Sequence, residues 1–318
     1  MLFDVIFPIG ALISGIVVLT ISSDKAVEHT VYFASALGVS SIVIGLVLVS
    51  IGTDLPEIAN SIVSCWSGYG DIDLGDSIGS VLTQITLVLG LIALLSRKFK
   101  VKRNEVLVAG FFEVLALILA ISVAKTGFTR WKAFLLIAAW PIFIWIIRRA
   151  TKKDTVKTKS SKHKTHRPYL FHLMIAILSF AGIAIGAFAV VQSVIILSNQ
   201  LDIPEFFISF FVLGIGTSIP ELAVDLVAVR KRQYELAIGD IIGSCIVDST
   251  VSIAAGQLFF PAAVFVEPSG RSFLLGLYAI LSSILVILVL FSRKRVDKKA
   301  GVFFVVLYLG SYSLLYAM

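Results

Sequence analysis

Cysteine is nearly absent from this chain, with only Cys65 and Cys245 in 318 residues. Two thiols in apolar surroundings supply neither a disulfide framework nor a spaced metal motif, and they leave the redox compartment undefined. Charge is scarce too, at 15% of residues against 58% apolar ones. With a mean hydropathy of +0.98 and apolar runs that repeatedly reach the roughly 20 residues needed to cross a bilayer, this excludes an ordinary soluble domain. The net charge of +7 does not indicate nucleic acid, because Lys and Arg sit in short clusters between apolar runs, where they act as a topology signal. No basic stretch precedes the apolar start at Leu2 to Ile21, which carries Asp4, so it reads as a first span rather than a cleaved signal peptide.

What the chain does have, it has twice. Ile51-Gly-Thr-Asp-Leu-Pro-Glu-Ile-Ala59 recurs as Ile215-Gly-Thr-Ser-Ile-Pro-Glu-Leu-Ala223, and 18 residues after each Glu comes a second block, Gly75-Asp-Ser-Ile-Gly-Ser80 and Gly239-Asp-Ile-Ile-Gly-Ser244. Every matched pair is offset by 164 residues. A constant offset across two separate blocks indicates a duplicated half, and both copies lie in apolar segments. A carboxylate and a helix-breaking proline are both costly in hydrocarbon, so each copy marks a functional site.

The apolar runs predict ten spans: 3–21, 31–50 continuing as a broken helix to 66, 74–95, 104–123, 129–148, 170–197, 205–229, 235–258, 271–292 and 300–317. Alternate loops hold 23 of the 27 Lys and Arg residues, and the other set holds only Lys125, Arg130, Lys132 and Arg271. The positive-inside rule then puts the first set in the cytoplasm, with both termini and the turn from Ser67 to Asp73 outside a cell membrane. Residues 149–168, basic and without an apolar run, form a linker in which His163 and His166 read as parts of a solvated loop. It separates a first five-span repeat, 1–148, from a second, 169–318. Five is odd, so the second repeat enters the membrane inverted. The expected fold is an all-α integral membrane protein of ten transmembrane helices in two inverted repeats, a recurrent plan of secondary transporters. Gly52 and Gly216 each lie about 11 residues from a span end, ~16 Å of helix, which brings both motifs to the bilayer midplane from opposite sides.

Proline at 56 and 220 should leave carbonyls around 50–53 and 214–217 without helical partners, and a hard cation suits such oxygens. Thr53 and Glu57 are spaced i, i+4, as are Thr217 and Glu221, so each hydroxyl shares a face with a carboxylate. Asp76, Ser80 and Gln84 form a polar stripe one turn apart, matched by Asp240, Ser244 and Asp248. In this reading Asp76 and Asp240 head two acidic vestibules, with Gln84 and Asp248 deeper, and glycines 75, 79, 239 and 243 permit close helix approach. Asp225, one turn after Glu221, either lines the pathway or makes a polar contact. Glu113 has no counterpart and is expected to pair locally. No Lys or Arg inside the spans neutralises these acids.

These residues resemble the cation/calcium exchanger superfamily, most of all the microbial sodium/calcium exchangers, over nearly the whole chain. The resemblance implies that Glu57 and Glu221 are calcium ligands, that Thr53, Thr217 and Ser218 contribute to sodium sites, and that Gln84 and Asp248 also bind ions. It further implies alternating access with sliding of the first and sixth helices, no cofactor and no obligatory protein partner. Three departures stand out. Asp54 replaces the usual Ser, Gln84 the usual Asn, and Asp76 and Asp240 stand where Asn commonly follows Gly. Thr83-Gln-Ile85 is more like the cation/proton branch, which makes calcium/proton exchange the alternative. Leu74-Gly-Asp76 and Ile238-Gly-Asp240 also resemble the Gly-x-Gly-Asp signature of intramembrane aspartyl proteases. The first glycine of that signature is replaced by Asp73 and Ala237, and the duplicated glutamates would have no role. A passive channel is a third reading, separated from exchange by whether flux of one ion depends on a counter-ion.

Overall fold

The computed structural model describes residues 2–36, 52–96, 99–150, 169–230, 232, 234–264, 270–293 and 295–316. Its helices are α1 (Leu2–Ala36), α2 (Leu55–Trp66), α3 (Gly70–Leu95), α4 (Arg103–Lys125), α5 (Arg130–Ala150), α6 (Tyr169–Leu201), α7 (Glu205–Arg230), α8 (Tyr234–Phe259), α9 (Arg271–Arg293) and α10 (Lys298–Tyr316). Among the described residues, eight helical stretches are long and apolar enough to cross a bilayer. Most expected boundaries agree within a few residues. The linker at 151–168 and the span residues 37–50 lie outside the described residues.

One boundary is corrected. The first helix does not end at residue 21 but runs on to Ala36. Ser22 to Thr30 is polar yet contains neither Gly nor Pro, so nothing breaks the backbone ladder there, and Lys25 and Glu28 pair on its surface at 2.6 Å. α1 packs along α6, another long helix. Their contact is close because Gly186 abuts Leu19, with only 2.8 Å between an added Cβ and the Leu19 nitrogen. This pair has its own small clusters, Leu12 with Val190 and Val194, and Leu19 with Ile183 and Ala187. The main core lies between α3, α4, α8, α9 and α10, around Ile85, Leu117, Ile241 and Phe304. Large apolar side chains such as Phe7, Ile13, Phe111, Ile185 and Leu288 are exposed, as expected of surfaces facing lipid.

Loops gather at two ends as the charge count anticipates. Between α3 and α4, Phe99–Lys100 (β1) pairs antiparallel with Arg295–Val296 (β2), between α9 and α10. Phe99 stacks on Tyr234 at 4.5 Å, and Arg103 lies over Phe291. Three basic loops thus meet at one end. At the other, Lys125 approaches the Phe273 ring, and the turn after α2 packs Gly70 against Ala263.

Residues one repeat offset apart touch where the two halves meet. Gln84 contacts Asp248 and Cys245 contacts the Val81 carbonyl, each pair separated by 164. Around them α3 and α7 cross at backbone contact. Gly75 and Gly79 receive the Phe206 and Phe210 backbone, and a Cβ at Gly214 would fall 2.5 Å from the Gly79 carbonyl carbon. The counterparts of that neighbouring backbone for Gly239 and Gly243, residues 42 and 46, lie outside the described residues. Gly214→Ala should destabilise by roughly 1–3 kcal/mol through overpacking that no side chain can relieve. Gly10→Ala, which meets nothing within 4 Å, should be neutral. Thermal unfolding of the purified variants checks this, and equal midpoints would show that the crossing tolerates a methyl group.

Candidate ion-binding site

The centre forms where two helices are interrupted. α2 begins after Asp54 with Pro56 in its first turn. In α7 the segment Gly214–Thr217 ends at Ser218, and Ile219–Arg230 starts afresh with Pro220. Proline has no N–H to lose in a first turn, so the motif ends one ladder and opens another. The restart is the same in both copies: Ile58 N–H donates to the Asp54 carbonyl and Leu222 N–H to the Ser218 carbonyl, each at 3.1 Å. Glu57 and Glu221 therefore sit in first turns, where the helix dipole favours negative charge. Of the freed carbonyls expected at 214–217, that of Gly214 accepts from Ser218 Oγ at 2.7 Å, and Thr217 Oγ1 donates to the Leu213 carbonyl just before them at 2.9 Å. Residues 50 and 51 lie outside the described residues.

The deep stripe positions lie in π-helical turns, Thr83–Val88 in α3 and Asp248–Ser252 in α8. In each, the next N–H reaches back five residues, Leu89 to Gln84 and Ile253 to Asp248, which widens the helix and strands a carbonyl. A threonine hydroxyl compensates in both copies, Thr86 to the Leu82 carbonyl and Thr250 to the Ile246 carbonyl. The turns bring Gln84 and Asp248 together: Gln84 Nε2 donates to Asp248 Oδ2 at 3.1 Å. Ser252 Oγ donates to the other Asp248 oxygen at 3.1 Å.

Around this contact the structure brings the expected residues together. Asp54, Glu57, Ser80, Gln84, Thr217, Ser218, Glu221, Asp225, Ser244 and Asp248 are all buried, and Thr53 is half-buried. Each motif reaches the opposite repeat's stripe: Ser244 Oγ lies 3.5 Å from Asp54 Oδ2, and Ser80 Oγ lies 3.1 Å from Thr217 Oγ1. Glu57 lies in the field of Glu221, Asp248, Asp76 and Asp54. Both carboxylate oxygens of Glu57 and of Glu221 lack a hydrogen-bond partner, as does Asp54 Oδ1. The segments 52–95, 205–229 and 234–259, which supply all these groups, contain no Lys, Arg or His. Buried carboxylates without donors or counter-charges are costly enough to need a cation or a proton. Among the described residues no three His, Cys, Asp or Glu side chains close to metal-ligating geometry. The acids instead share one buried band with hydroxyl and amide groups.

Other expectations shift. Asp76, assigned to a vestibule, is 2% exposed, accepts from Asn60 Nδ2 at 2.9 Å and has Thr217 Oγ1 3.3 Å from its other oxygen. The α2–α3 turn ends before Gly70, so helix α3 already includes Asp73, which is buried rather than at the surface. Asp240 is half-buried and faces Asp225. Glu113 has a partner from another helix, Ser283 Oγ on α9 at 2.8 Å. Asn60 and Gln257 went unnoticed in the sequence and Asp73 was read only as part of an external turn, since none has a polar counterpart 164 residues away. The spacing of Asn60, one turn beyond Glu57, was the available signal.

Buried, uncompensated acids at two broken helices that carry the same motif, in a bundle of membrane-spanning helices, define a secondary transporter of cations. The chain belongs to the sodium/calcium exchanger protein family, whose sequence model matches residues 7–148 and 171–317. It is 31% identical over 256 residues to an uncharacterised membrane protein of Methanocaldococcus jannaschii, covering 80% of this chain and 82% of that one. It is 27% identical over 295 residues to the sodium/calcium exchanger MaX1 of Methanosarcina acetivorans, covering 80% and 83%. Among solved structures it resembles the sodium-calcium exchanger NCX_Mj soaked with Na+ and Sr2+, with a TM-score of 0.61, 27% identity and coverage of 97% and 98%. The protein is a multi-pass membrane transporter with the ten-helix inverted-repeat fold, not an enzyme, so the protease reading falls.

Proposed function

We infer that this chain is a secondary-active antiporter that exchanges sodium for calcium by alternating access at a single central site. The observation that carries the inference is the pair Glu57 and Glu221, buried at two helix starts with all four carboxylate oxygens unpartnered. Two carboxylates, with the Asp248 carboxylate and the Gln84 amide beside them, supply the oxygen-rich set that calcium prefers. Thr53, Thr217, Ser218, Ser80 and Ser244 offer hydroxyls suited to sodium, and Asp54 adds a further charge for a monovalent ion. The working unit is two five-helix repeats, 1–148 and 169–318, joined by the basic linker 149–168. Membership of the sodium/calcium family favours sodium over protons as the driving ion. Calcium uptake into vesicles containing the purified protein should follow an outward sodium gradient. Uptake that ignores sodium but follows a pH gradient would replace sodium by protons, and uptake that needs neither gradient would make the protein a channel.

The charge asymmetry places both termini and the Ser67 turn outside the cell membrane, with the linker in the cytoplasm. Cys65 and Cys245 are buried, so introduced cysteines can be read against a quiet background. Ser67→Cys should react with an impermeant thiol reagent from outside, and Ser160→Cys only after the membrane is opened. External labelling at position 160 would overturn this orientation.

A further inference from the structure

Between the centre and the α2–α3 turn lies a second group of buried acids that the exchange reading leaves unused. Asp73 stands in the first turn of α3 and Asp76 one turn further on, 1% and 2% exposed, and Asn60 faces them from α2, fully buried. The Asn60 amide nitrogen bonds Asp76 Oδ2 at 2.9 Å, which holds that amide within the group. Beside Asp73 stands the Ser61 hydroxyl, which itself accepts the Gly256 N–H at 2.9 Å, and Asp73 Oδ2 meets Cys65 Sγ and Gln257 Nε2, both at 3.4 Å. Gln257 cannot turn its oxygen there instead, because that oxygen accepts the Ala262 N–H at 3.0 Å. Asp73 Oδ1 and Asn60 Oδ1, both buried, have no partner.

Two carboxylates thus lie one turn apart, one of them bonded to the Asn60 amide, in helices that carry no basic residue. A thiol is a weak donor, and an amide N···O contact of 3.4 Å lies at the limit of hydrogen bonding, so the Cys65 and Gln257 contacts compensate little of the cost of burying charge. Carboxylate and amide oxygens left without donors are the ligand type that a hard cation takes. The group is not a copy of the centre, because the counterparts of Asn60 and Asp73 in the second repeat are Val224 and Ala237.

We propose that Asp73, Asp76 and Asn60 form a second calcium site, one to two helical turns from the centre toward the α2–α3 turn, where the ion is held on its way to or from Glu57 and Glu221. The staging role rests on the exchange reading, whereas the existence of the site does not. The test is equilibrium dialysis of the full chain in detergent against radioactive calcium, without sodium. Two calcium ions should bind per wild-type chain, one in Asp73→Asn, one in the Glu57→Gln/Glu221→Gln double variant, and none when all three changes are combined. A single wild-type calcium that disappears with the glutamate pair would overturn the second site and leave the exchange reading standing. Calcium retained in the double variant and lost only with Asp73→Asn would do the reverse. Asn60→Leu, which keeps both acids, guards against misfolding of Asp73→Asn and should weaken the second site at least tenfold. An unchanged affinity there also sinks the proposal.

Discussion

Glu57→Gln and Glu221→Gln should each eliminate calcium binding at the central site, rather than merely slow turnover, when titrated calorimetrically. The side chains are 1% exposed and their oxygens have no protein donor, so neither carboxylate is needed to hold a helix in place. Glutamine has nearly the same shape without the charge, and relieving a buried, unpaired carboxylate should not unfold the chain. What it removes is one of two closely placed charges facing a divalent ion. A loss of about 4 kcal/mol, on the order of a thousandfold in affinity, is expected from either change. Near-normal central affinity in either variant would mean that calcium binds elsewhere.

Asp54→Ser should reduce calcium flux driven by a pH gradient about tenfold while leaving flux driven by sodium largely intact. Asp54 is fully buried, has one free oxygen, and stands where the second repeat has Ser218. It lies in the field of Asp248 and Glu221, so with Glu57 four acids surround the centre. One calcium ion balances two of those charges, and the remainder calls for monovalent cations or protons. Removing Asp54 removes a place where a proton could substitute for sodium. Gln84→Asp tests the same balance from the other side, by adding a carboxylate in place of the amide that now lies 3.1 Å from Asp248. Flux under a sodium gradient at fixed pH, then under a pH gradient without sodium, separates the cases. If neither variant alters either dependence, these departures do not select the driving ion.

The sequence by itself determined the membrane class, the duplication, most span boundaries and the candidate residues for the centre. Those features are written in apolar run length, in a constant offset and in short spacings along one helix, all of which are local or periodic. Even the sorting of loops to two ends followed from alternating charge, and the β1–β2 pairing and the Lys125–Phe273 contact agree with it. Only the tertiary structure decided which polar groups meet. The Gln84–Asp248 contact depends on how the two repeats pack, and Asn60–Asp76 and Glu113–Ser283 depend on which helix faces which. No periodic signal marks such pairs, because a single polar residue on an apolar helix looks the same in sequence whatever packs against it. The same limit hid the depth of Asp73 and Asp76: a polar stripe shows that a face is wet or paired, but only packing shows which. The run of α1 through Ser22 to Thr30 escaped for a related reason, since polar residues suggested a loop where helix-compatible backbone and packing along α6 allow the helix to continue.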